Sequence, residues 1–411
     1  MRALFAALLL LHGTFHLLGF VGSLEALAAF PVVSRALGLS WLVAATLWLA
    51  AGGLVLAAHP RWWLPTALGL TLSQALILGA WEDARWGTLV NLIILLPLSV
   101  RMADMRAGSL RSLFVRDALD ELGRRAPPEA LVEAPDLASL PPQVRRYLMR
   151  AGVVGRPHVR NYHARFRAEM RRSPEGPWMP ATAEQHGFFG PTARLFFLRA
   201  WRGPVHFDAL HRYQGSRATM QVRVAGLWSV VDAGGPELTQ SETVTVLNDM
   251  FVLAPAALLD AEIEWAVLDE RRVRAIWENA GQRVTALVVF DEHGDLADFQ
   301  SEDRYQSDGR THRLLPWSTP VGGYRDFGGV RLPAEGEARW RESSGDWSYG
   351  RFLLEEIRYN VGEGDLAAQP RAFSTSRPPT TRKSSRMTRR SALLAREFLG
   401  TPPAQRTRLF R

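Results

Sequence analysis

Long uncharged segments, separated by a few charged residues, fill the first hundred residues of the chain. These uncharged runs cover residues 3–24, 36–58, 62–81 and 86–100. A membrane-spanning helix needs about 20 apolar residues to cross a hydrocarbon core of about 30 Å. The first three runs meet this length, and the fourth can span if the Arg101 side chain extends towards the interface. The pattern therefore predicts a bundle of four membrane-spanning helices.

Arginines at the ends of these runs predict how the helices are oriented. With the N-terminus in the cytoplasm, four arginines lie at cytoplasmic ends and two at outer ends. Basic residues favour the cytoplasmic side. We therefore expect a multi-pass protein of the cell (inner) membrane, with its N-terminus and its soluble domain in the cytoplasm. A cleaved signal peptide over residues 1–24 is the alternative, which the three following apolar runs disfavour.

A few polar side chains lie inside the apolar runs. His12 and His16 are four residues apart and share one helix face. Gln74 lies in the third run and Asn91 in the fourth. We expect these four side chains to hydrogen-bond between helices. A metal or haem site built on the two histidines is the alternative, but the other runs hold no second histidine pair.

After residue 101 the pattern of apolar and polar residues changes twice, first to that of amphipathic helices and then to that of strands. An amphipathic helix is predicted over residues 107–125, either on the membrane surface or at the start of the soluble domain. Prolines then interrupt the chain at Pro127, Pro128 and Pro135, and a short helix is predicted from Pro142. From about residue 158 apolar and polar residues alternate with a period of two, which is typical of strands.

The alternating segments recur at roughly ten-residue spacing as far as residue 361. They predict one large, curved antiparallel sheet or an open barrel. A single helix interrupts the series, beginning at Gly235-Pro236 and running past Leu247 towards Leu258–Leu259. We expect this helix to cover the open mouth of the sheet. The predicted organisation is a four-helix transmembrane domain over residues 1–101, a helical connector over 102–157, a β-rich soluble domain over 158–361 and a basic disordered tail over 362–411.

Charge and cysteine content limit the possible chemistry. The chain carries a net charge of +8, whereas residues 371–411 alone hold eleven basic residues and one acid. The basic character therefore belongs to the tail, which either attracts anionic lipid headgroups or stays solvated without a partner. Binding to nucleic acid would need more than charge. The chain has no cysteine, so disulfides, thiolate metal sites and cysteine nucleophiles are excluded.

Several short motifs, taken in order, resemble a family of bacterial membrane proteins known only as a domain of unknown function. The motifs are LHGTFHLLGF (11–20), SQ (73–74), WEDARWGT (81–88), NLII (91–94), LPPQVRRYL (140–148), AGVVGRP (151–157), GPWMP (176–180), TAEQ (182–185) and GPEL (235–238). The resemblance extends from residue 1 to about residue 360. It implies a four-helix membrane segment joined to a β-rich soluble domain, and it implies no activity. Family members tend to have an acid where this chain has Thr239, which weakens a catalytic role for that turn.

No motif for catalysis or for cofactor binding is present. The chain has no Gly-rich phosphate loop, no zinc-protease helix and no nucleophile elbow. The soluble-domain histidines are scattered, although His206 and Asp208 share a strand face with His211 close by. We therefore expect no cofactor and no metal.

Seven polar or aromatic residues of the soluble domain are the candidate ligand-binding residues. Burial among aromatic residues could raise the pKa of Glu184. We expect Arg212 to lie beside an inward-facing row, Glu237 to stabilise a helix start and Glu242 to face water. The full candidate set is Trp178, Glu184, Gln185, Arg212, Tyr213, Glu237 and Glu242.

The predicted architecture favours a binding function. We expect a membrane-tethered β-domain whose concave face binds a lipid or another apolar molecule. The first alternative is a membrane-associated enzyme that uses a buried carboxylate or a histidine for acid–base chemistry. The second alternative is an interaction or regulatory module that pairs with another membrane protein.

Overall fold

The structure is a computed structural model that describes residues 2–23, 34–125, 130–307 and 311–368. Most of the predicted basic tail and the two prolines at 127 and 128 lie outside the described residues. The helices are α1 (Arg2–Gly22), α2 (Arg35–Leu56), α3 (Trp63–Gly79), α4 (Trp81–Ala84), α5 (Gly87–Met105), α6 (Leu110–Gly123), α7 (Pro142–Ala151), α8 (Pro236–Val252) and α9 (Glu363–Ala368). The last of these occupies the first residues of the segment that was predicted to be disordered.

Each of the four apolar runs forms a helix. Three helical segments are long and apolar enough to cross a membrane by length and composition, namely Arg2–Gly22, Arg35–Leu56 and Gly87–Gly123. The remaining apolar helix, Trp63–Gly79, has 17 residues and falls short of that length. The last of the three long segments comprises α5, which continues beyond Arg101 to Met105, together with α6. The apolar helices agree with the prediction, whereas four spans are not established.

Small residues let the first two helices approach closely. A Cβ atom at Gly19 would lie 2.5 Å from the Trp41 ring, and one at Gly52 would lie 2.6 Å from the Leu10 side chain. Side chains larger than hydrogen at these positions would force α1 and α2 apart. Close backbone approach at small residues is the usual basis of helix packing in membranes.

A 14-stranded antiparallel sheet dominates the rest of the described chain. Its strand order is β6-β5-β4-β3-β2-β1-β18-β17-β13-β10-β9-β8-β7, with β14 also paired to β17. Two short hairpins, β11–β12 and β15–β16, lie outside it. The strands are β1 (Asn161–Met170), β2 (Met179–Phe188), β3 (Ala193–Arg202), β4 (Val205–Gln214), β5 (Arg217–Val224), β6 (Trp228–Gly234), β7 (Ile263–Val267), β8 (Arg272–Asn279), β9 (Gln282–Phe290), β10 (Leu296–Ser301), β11 (Tyr305–Ser307), β12 (His312–Leu314), β13 (Trp317–Ser318), β14 (Val321–Gly322), β15 (Arg325–Phe327), β16 (Val330–Leu332), β17 (Glu335–Glu342) and β18 (Gly345–Tyr359).

The inserted helix α8 connects β6 to β7, the two edge strands of the sheet. It contacts β5 and β6 near one edge and β9 and β10 near the other. In a flat sheet, β5 and β9 would lie roughly 43 Å apart at about 4.8 Å per strand, and a helix is only about 10 Å wide. The sheet must therefore curl around α8. This agrees with the predicted curved sheet, although the helix ends at Val252 and a separate 3₁₀ turn, Pro255–Leu259, follows it.

The connector helix α6 packs on the opposite, convex face of the sheet, against β3 and β4. Arg212 Nε donates to Asp117 Oδ2 of α6 at 2.7 Å, and Gln214 Nε2 donates to Glu121 Oε1 at 2.7 Å. At the end of α5, Asp104 accepts hydrogen bonds from Arg199 of β3. Through α6, the connector therefore packs directly on the β-domain. Its ion pairs fix the apolar helices to the convex face.

Candidate functional site

A cavity of about 190 Å³ lies between α8 and the concave face of the sheet. Much of its wall is apolar, because the inward-facing positions of β1, β3 and β18 carry aromatic and aliphatic side chains. These include Phe166, Met170, Phe196, Tyr349 and Phe352, and Val252 of α8 adds to the apolar wall. The remaining wall carries charged and polar groups from β2, β3, β4 and α8. The cavity is thus divided into an apolar side and a polar side.

The polar side is organised around Arg194 on β3. Its guanidinium donates to Glu242 Oε2 at 2.9 Å, to Asp249 Oδ2 at 2.7 Å and to Gln185 Oε1 at 3.0 Å. Gln185 also donates to Asp249 at 2.7 Å. Glu242 and Asp249 are seven residues apart on α8 and therefore lie on one helix face. The network joins the covering helix to the floor of the sheet.

The pKa values of the two carboxyl groups in this network shift in opposite directions. Burial would raise the pKa of Glu242, but the Arg194 charge, the nearby His211 and the Arg304 charge outweigh it and lower that pKa. Burial raises the pKa of Asp249, and the charge and hydrogen bond of Arg194 only partly oppose this. Glu242 is therefore ionised, whereas Asp249 holds its proton to higher pH than an ordinary aspartate.

Three buried polar atoms on residues that line the cavity have no hydrogen-bond partner in the described part of the chain. They are Asn248 Oδ1, Arg304 Nε and Thr319 Oγ1. The guanidinium of Arg304 is held by the Ser241 carbonyl at 3.0 Å and lies 4.5 Å from the centroid of the Trp317 ring. A buried polar atom without a partner costs about 1–3 kcal/mol. These atoms are suited to hydrogen-bond a polar group within the cavity.

Two of the candidate residues, Gln185 and Glu242, line this cavity. The expectation that Glu242 faces water was wrong. Only 2% of its surface is exposed, because α8 lies inside the curl of the sheet and Arg194 neutralises the carboxylate there. Tyr213 is buried beneath α8, where its hydroxyl group accepts a hydrogen bond from Asn279 at 2.7 Å.

Glu184 and Arg212 lie on the convex face, away from the cavity. Arg212 pairs with Asp117, whereas the next residue along β4, Tyr213, faces inward beneath α8. Burial alone would raise the pKa of Glu184, but the Arg111 charge and the His163 hydrogen bond lower it to about 2. The expected upward shift was therefore wrong, because the sequence does not show that α6 brings Arg111 to this face.

The last two candidates do not line the cavity. Trp178 is half-buried, and its ring contacts the guanidinium groups of Arg171 at 4.6 Å and Arg351 at 4.3 Å. Glu237 occupies the first turn of α8, next to the positive end of the helix dipole.

The sequence analysis missed Arg194, Asp249, Asn248 and Arg304. Arg194 gives no distinct signal, because its strand also carries Arg199 and Arg202. Asp249 shares a helix face with Glu242, and this spacing was also readable. No signal in the sequence indicated Arg304, because it follows a strand far from α8 in the chain.

A second polar group lies among the apolar helices. His12 Nε2 lies 3.0 Å from Asn91 Oδ1, and His16 Nε2 lies 2.9 Å from Ser73 Oγ. Asn91 also donates to Gln74 Oε1 at 3.0 Å. These hydrogen bonds connect α1, α3 and α5, and they place the four predicted intramembrane residues in one network.

Comparison with known proteins adds a family but no activity. The model of a family described as a family of unknown function (DUF6544) matches residues 130–352. No curated protein matches the chain. Two similar solved structures are the LolA superfamily protein NE2245 from Nitrosomonas europaea and a DUF1329 family protein from Desulfovibrio piger. Both are 10% identical to this chain in sequence. The first match covers 55% of this chain and 97% of the other protein, with a TM-score of 0.31. The second match covers 54% of this chain and 92% of the other protein, with a TM-score of 0.28.

Proposed function

Because the chain belongs to the DUF6544 family, whose function is unknown, we propose from the cavity itself that the protein is a membrane-anchored binding protein for an amphipathic, mainly apolar ligand. The ligand occupies the space between α8 and the concave face of the sheet. Its apolar part contacts the aromatic side, and its polar group meets the unpartnered polar atoms. Ligand sites of this kind are concave, mostly apolar and equipped with a few fixed polar groups.

The observation that supports this proposal most strongly is the combination of an apolar wall with buried polar atoms that lack partners. Empty space and unpaired polar atoms both destabilise the fold, and a bound ligand would relieve both costs. Arg304 Nε can donate to an oxygen of the ligand, and Asn248 Oδ1 can accept from a hydroxyl or an amide. The ligand head is therefore a small group that both donates and accepts hydrogen bonds.

The size of the cavity limits the ligand. Small-molecule sites commonly enclose about 300–1,000 Å³, and this cavity encloses about 190 Å³. A single acyl chain or a molecule of similar width fits this scale better than a diacyl phospholipid. A larger ligand requires α8 to move away from the sheet, and that movement breaks the bonds of Arg194 to Glu242 and Asp249.

The apolar helices anchor this domain at the membrane. We propose that α3 is the fourth span, since its 17 residues extend roughly 26 Å and flanking tryptophans can bridge the remaining distance. Four spans place the N-terminus and the β-domain on the same side, and the arginine distribution favours the cytoplasm. Reporter fusions after Val361 test this orientation, and a signal typical of the outer side would contradict it.

Lipid analysis of the full-length protein tests the binding proposal. We expect an apolar molecule to co-purify with the wild type in mild detergent and to be lost from the cavity-filling variant Val252→Trp. The matched control is Leu287→Trp, which fills a separate depression of about 470 Å³ beside β8–β10. Equal amounts of the molecule in both variants would contradict the proposal, provided that both proteins melt cooperatively.

A second candidate function rests on His211. Its Nδ1 lies 3.4 Å from Glu242 Oε1 at the cavity, and its side chain is partly exposed. A histidine held by a carboxylate can act as an acid or base towards a bound molecule. If the protein is an enzyme, the variant His211→Gln retains the co-purifying ligand in a chemically unconverted form. An identical ligand profile in the two proteins would remove this candidate.

A further inference from the structure

A second cluster of ionisable side chains lies on the convex face of the sheet, beneath α6. Glu184 and His186 are two residues apart on β2 and share a face, and His163 of β1 is directly opposite His186 in the strand pairing. All three are buried, with exposed fractions of 1% for His163, 2% for Glu184 and 0% for His186. Phe114 of α6 covers the His186 ring at a centroid distance of 5.5 Å.

The three side chains converge. Glu184 Oε1 lies 2.9 Å from His163 Nε2, and Glu184 Oε2 lies 2.5 Å from Nη1 of Arg111. The two imidazole rings stack with centroids 4.5 Å apart. One nitrogen or oxygen atom from each of the three residues lies within 4.8 Å of the other two.

This arrangement does not satisfy the hydrogen-bonding capacity of the His186 ring. Neither of its ring nitrogens has a hydrogen-bond partner within the described ranges, although the side chain is fully buried. A neutral imidazole has a lone pair that can bind a metal ion.

We propose that His163, Glu184 and His186 bind one divalent transition-metal ion, with Zn²⁺ as the first choice. Imidazole nitrogen and carboxylate oxygen bind zinc at about 2.0–2.2 Å, which places neighbouring ligand atoms roughly 3.3 Å apart in a tetrahedral site. The ligand atoms lie within 4.8 Å of one another, so the widest pair must approach by up to roughly 1.5 Å to reach this spacing. Three protein ligands leave one position for a water molecule.

Arg111 supports the same assignment. It binds Oε2 of Glu184 and leaves Oε1 directed at the histidines, and carboxylates that bind metals are commonly held in this way by a second group. Because Arg111 belongs to α6, the ion stabilises the docking of the connector on the β1–β2 hairpin. The site lies on the convex face and is therefore separate from the cavity on the concave face.

A neighbouring group of similar composition has an arginine between its two carboxylates. Asp104, His206 and Asp208 also converge on the convex face. Here the guanidinium of Arg199 donates to Asp104 at 2.9 Å and to Asp208 at 2.6 Å, so it already occupies the place of a cation. This group serves as an internal comparison for the proposed zinc site.

Metal analysis of the full-length protein, purified without a polyhistidine tag, tests the proposal. After equilibration with Zn²⁺ and removal of excess metal, we expect about one zinc ion per wild-type chain. The variants His186→Phe and Glu184→Gln lose this zinc, whereas the control His293→Phe, at an exposed position, retains it. Replacement of zinc by Co²⁺ should give visible absorption bands typical of nitrogen and oxygen ligands, a readout that does not depend on any variant folding.

Thermal stability separates the outcomes further. If the ion is present, EDTA lowers the melting temperature of the wild type and leaves His186→Phe unchanged. If His186 is only an unsatisfied core residue, His186→Phe melts above the wild type, because the substitution removes buried unpaired nitrogens. A higher melting temperature for His186→Phe than for the wild type would overturn the proposal. Equal zinc content in these two proteins would also overturn it, as would the absence of cobalt bands in the wild type.

Discussion

Arg194 and Asp249 connect the concave sheet directly to the helix that covers it, with Nε donating to Oδ2 at 2.7 Å. The same guanidinium also binds Glu242, which lies seven residues before Asp249 on the same face of α8. The three residues are all buried, and Arg194 is the cation that binds both carboxyl groups. Removal of one partner from such a network is costly, since it leaves an uncompensated buried charge.

The variant Arg194→Met should lower the free energy of unfolding by about 3–5 kcal/mol, because two carboxyl groups lose their cation. Chemical denaturation of the full-length protein in detergent provides the measurement. The matched control is Arg283→Met, whose partner Glu264 is exposed and whose loss should leave stability unchanged. Partial recovery in the triple variant Arg194→Met, Glu242→Leu, Asp249→Leu would confirm that the buried charges cause the loss. Equal stability of Arg194→Met and wild type would contradict the network.

Acidification should lower the free energy of unfolding, because Glu184 on the convex face loses its charge. Its folded-state pKa is about 2, below the ordinary value of 4.5. A lowered pKa stabilises the fold above pH 4.5, and this stabilisation is lost as the pH falls from about 4.5 towards 2. The loss amounts to about 3 kcal/mol.

Denaturation curves of wild type and Glu184→Gln, recorded in EDTA between pH 6 and pH 3, should therefore converge as the pH falls. The exposed control Glu292→Gln should follow the wild type at every pH. A constant difference between wild type and Glu184→Gln over this range would contradict the ion pair with Arg111.

The hydrogen-bond network among the apolar helices predicts a smaller effect. Asn91→Leu removes the contact with His12 and the bond to Gln74. Hydrogen bonds between membrane helices contribute about 0.6 kcal/mol on average and at most about 1.7 kcal/mol. We expect a decrease of about 1–2 kcal/mol for unfolding in mixed micelles. The control is Leu92→Ala at an exposed position, and a larger loss in the control would contradict the role of Asn91.

The sequence predicts the elements of this fold well and their mutual placement poorly. Charge-free runs and the two-residue period depend on local chemistry, so the apolar helices, the strands and the inserted helix could be predicted. The face on which Glu184 or Arg212 lies depends on which side of the sheet becomes concave. That choice is made by α8, whose connection between the two edge strands is visible only in the folded chain.

The same limit applies to the candidate site. Glu242 was assigned to the water-facing side of α8 because a carboxylate without a known partner is expected to be exposed. Arg194, its partner, is 48 residues away in the sequence. Polar residues that are buried in pairs over such separations give no local signal, whereas the aromatic alternation that forms the apolar wall does.

The central claim is that the space beneath α8 holds an apolar ligand in the cell. Phe352 lines this space, whereas Trp228 is exposed on the edge strand β6. A photoactivatable phenylalanine analogue can be placed at either position, and the cells can be fed labelled fatty acid and irradiated. Gel electrophoresis and mass spectrometry then detect labelled lipid that is attached to the protein. The account predicts labelled lipid attached at position 352 and none at position 228. Labelling that is absent at 352, or equal at the two positions, would contradict it.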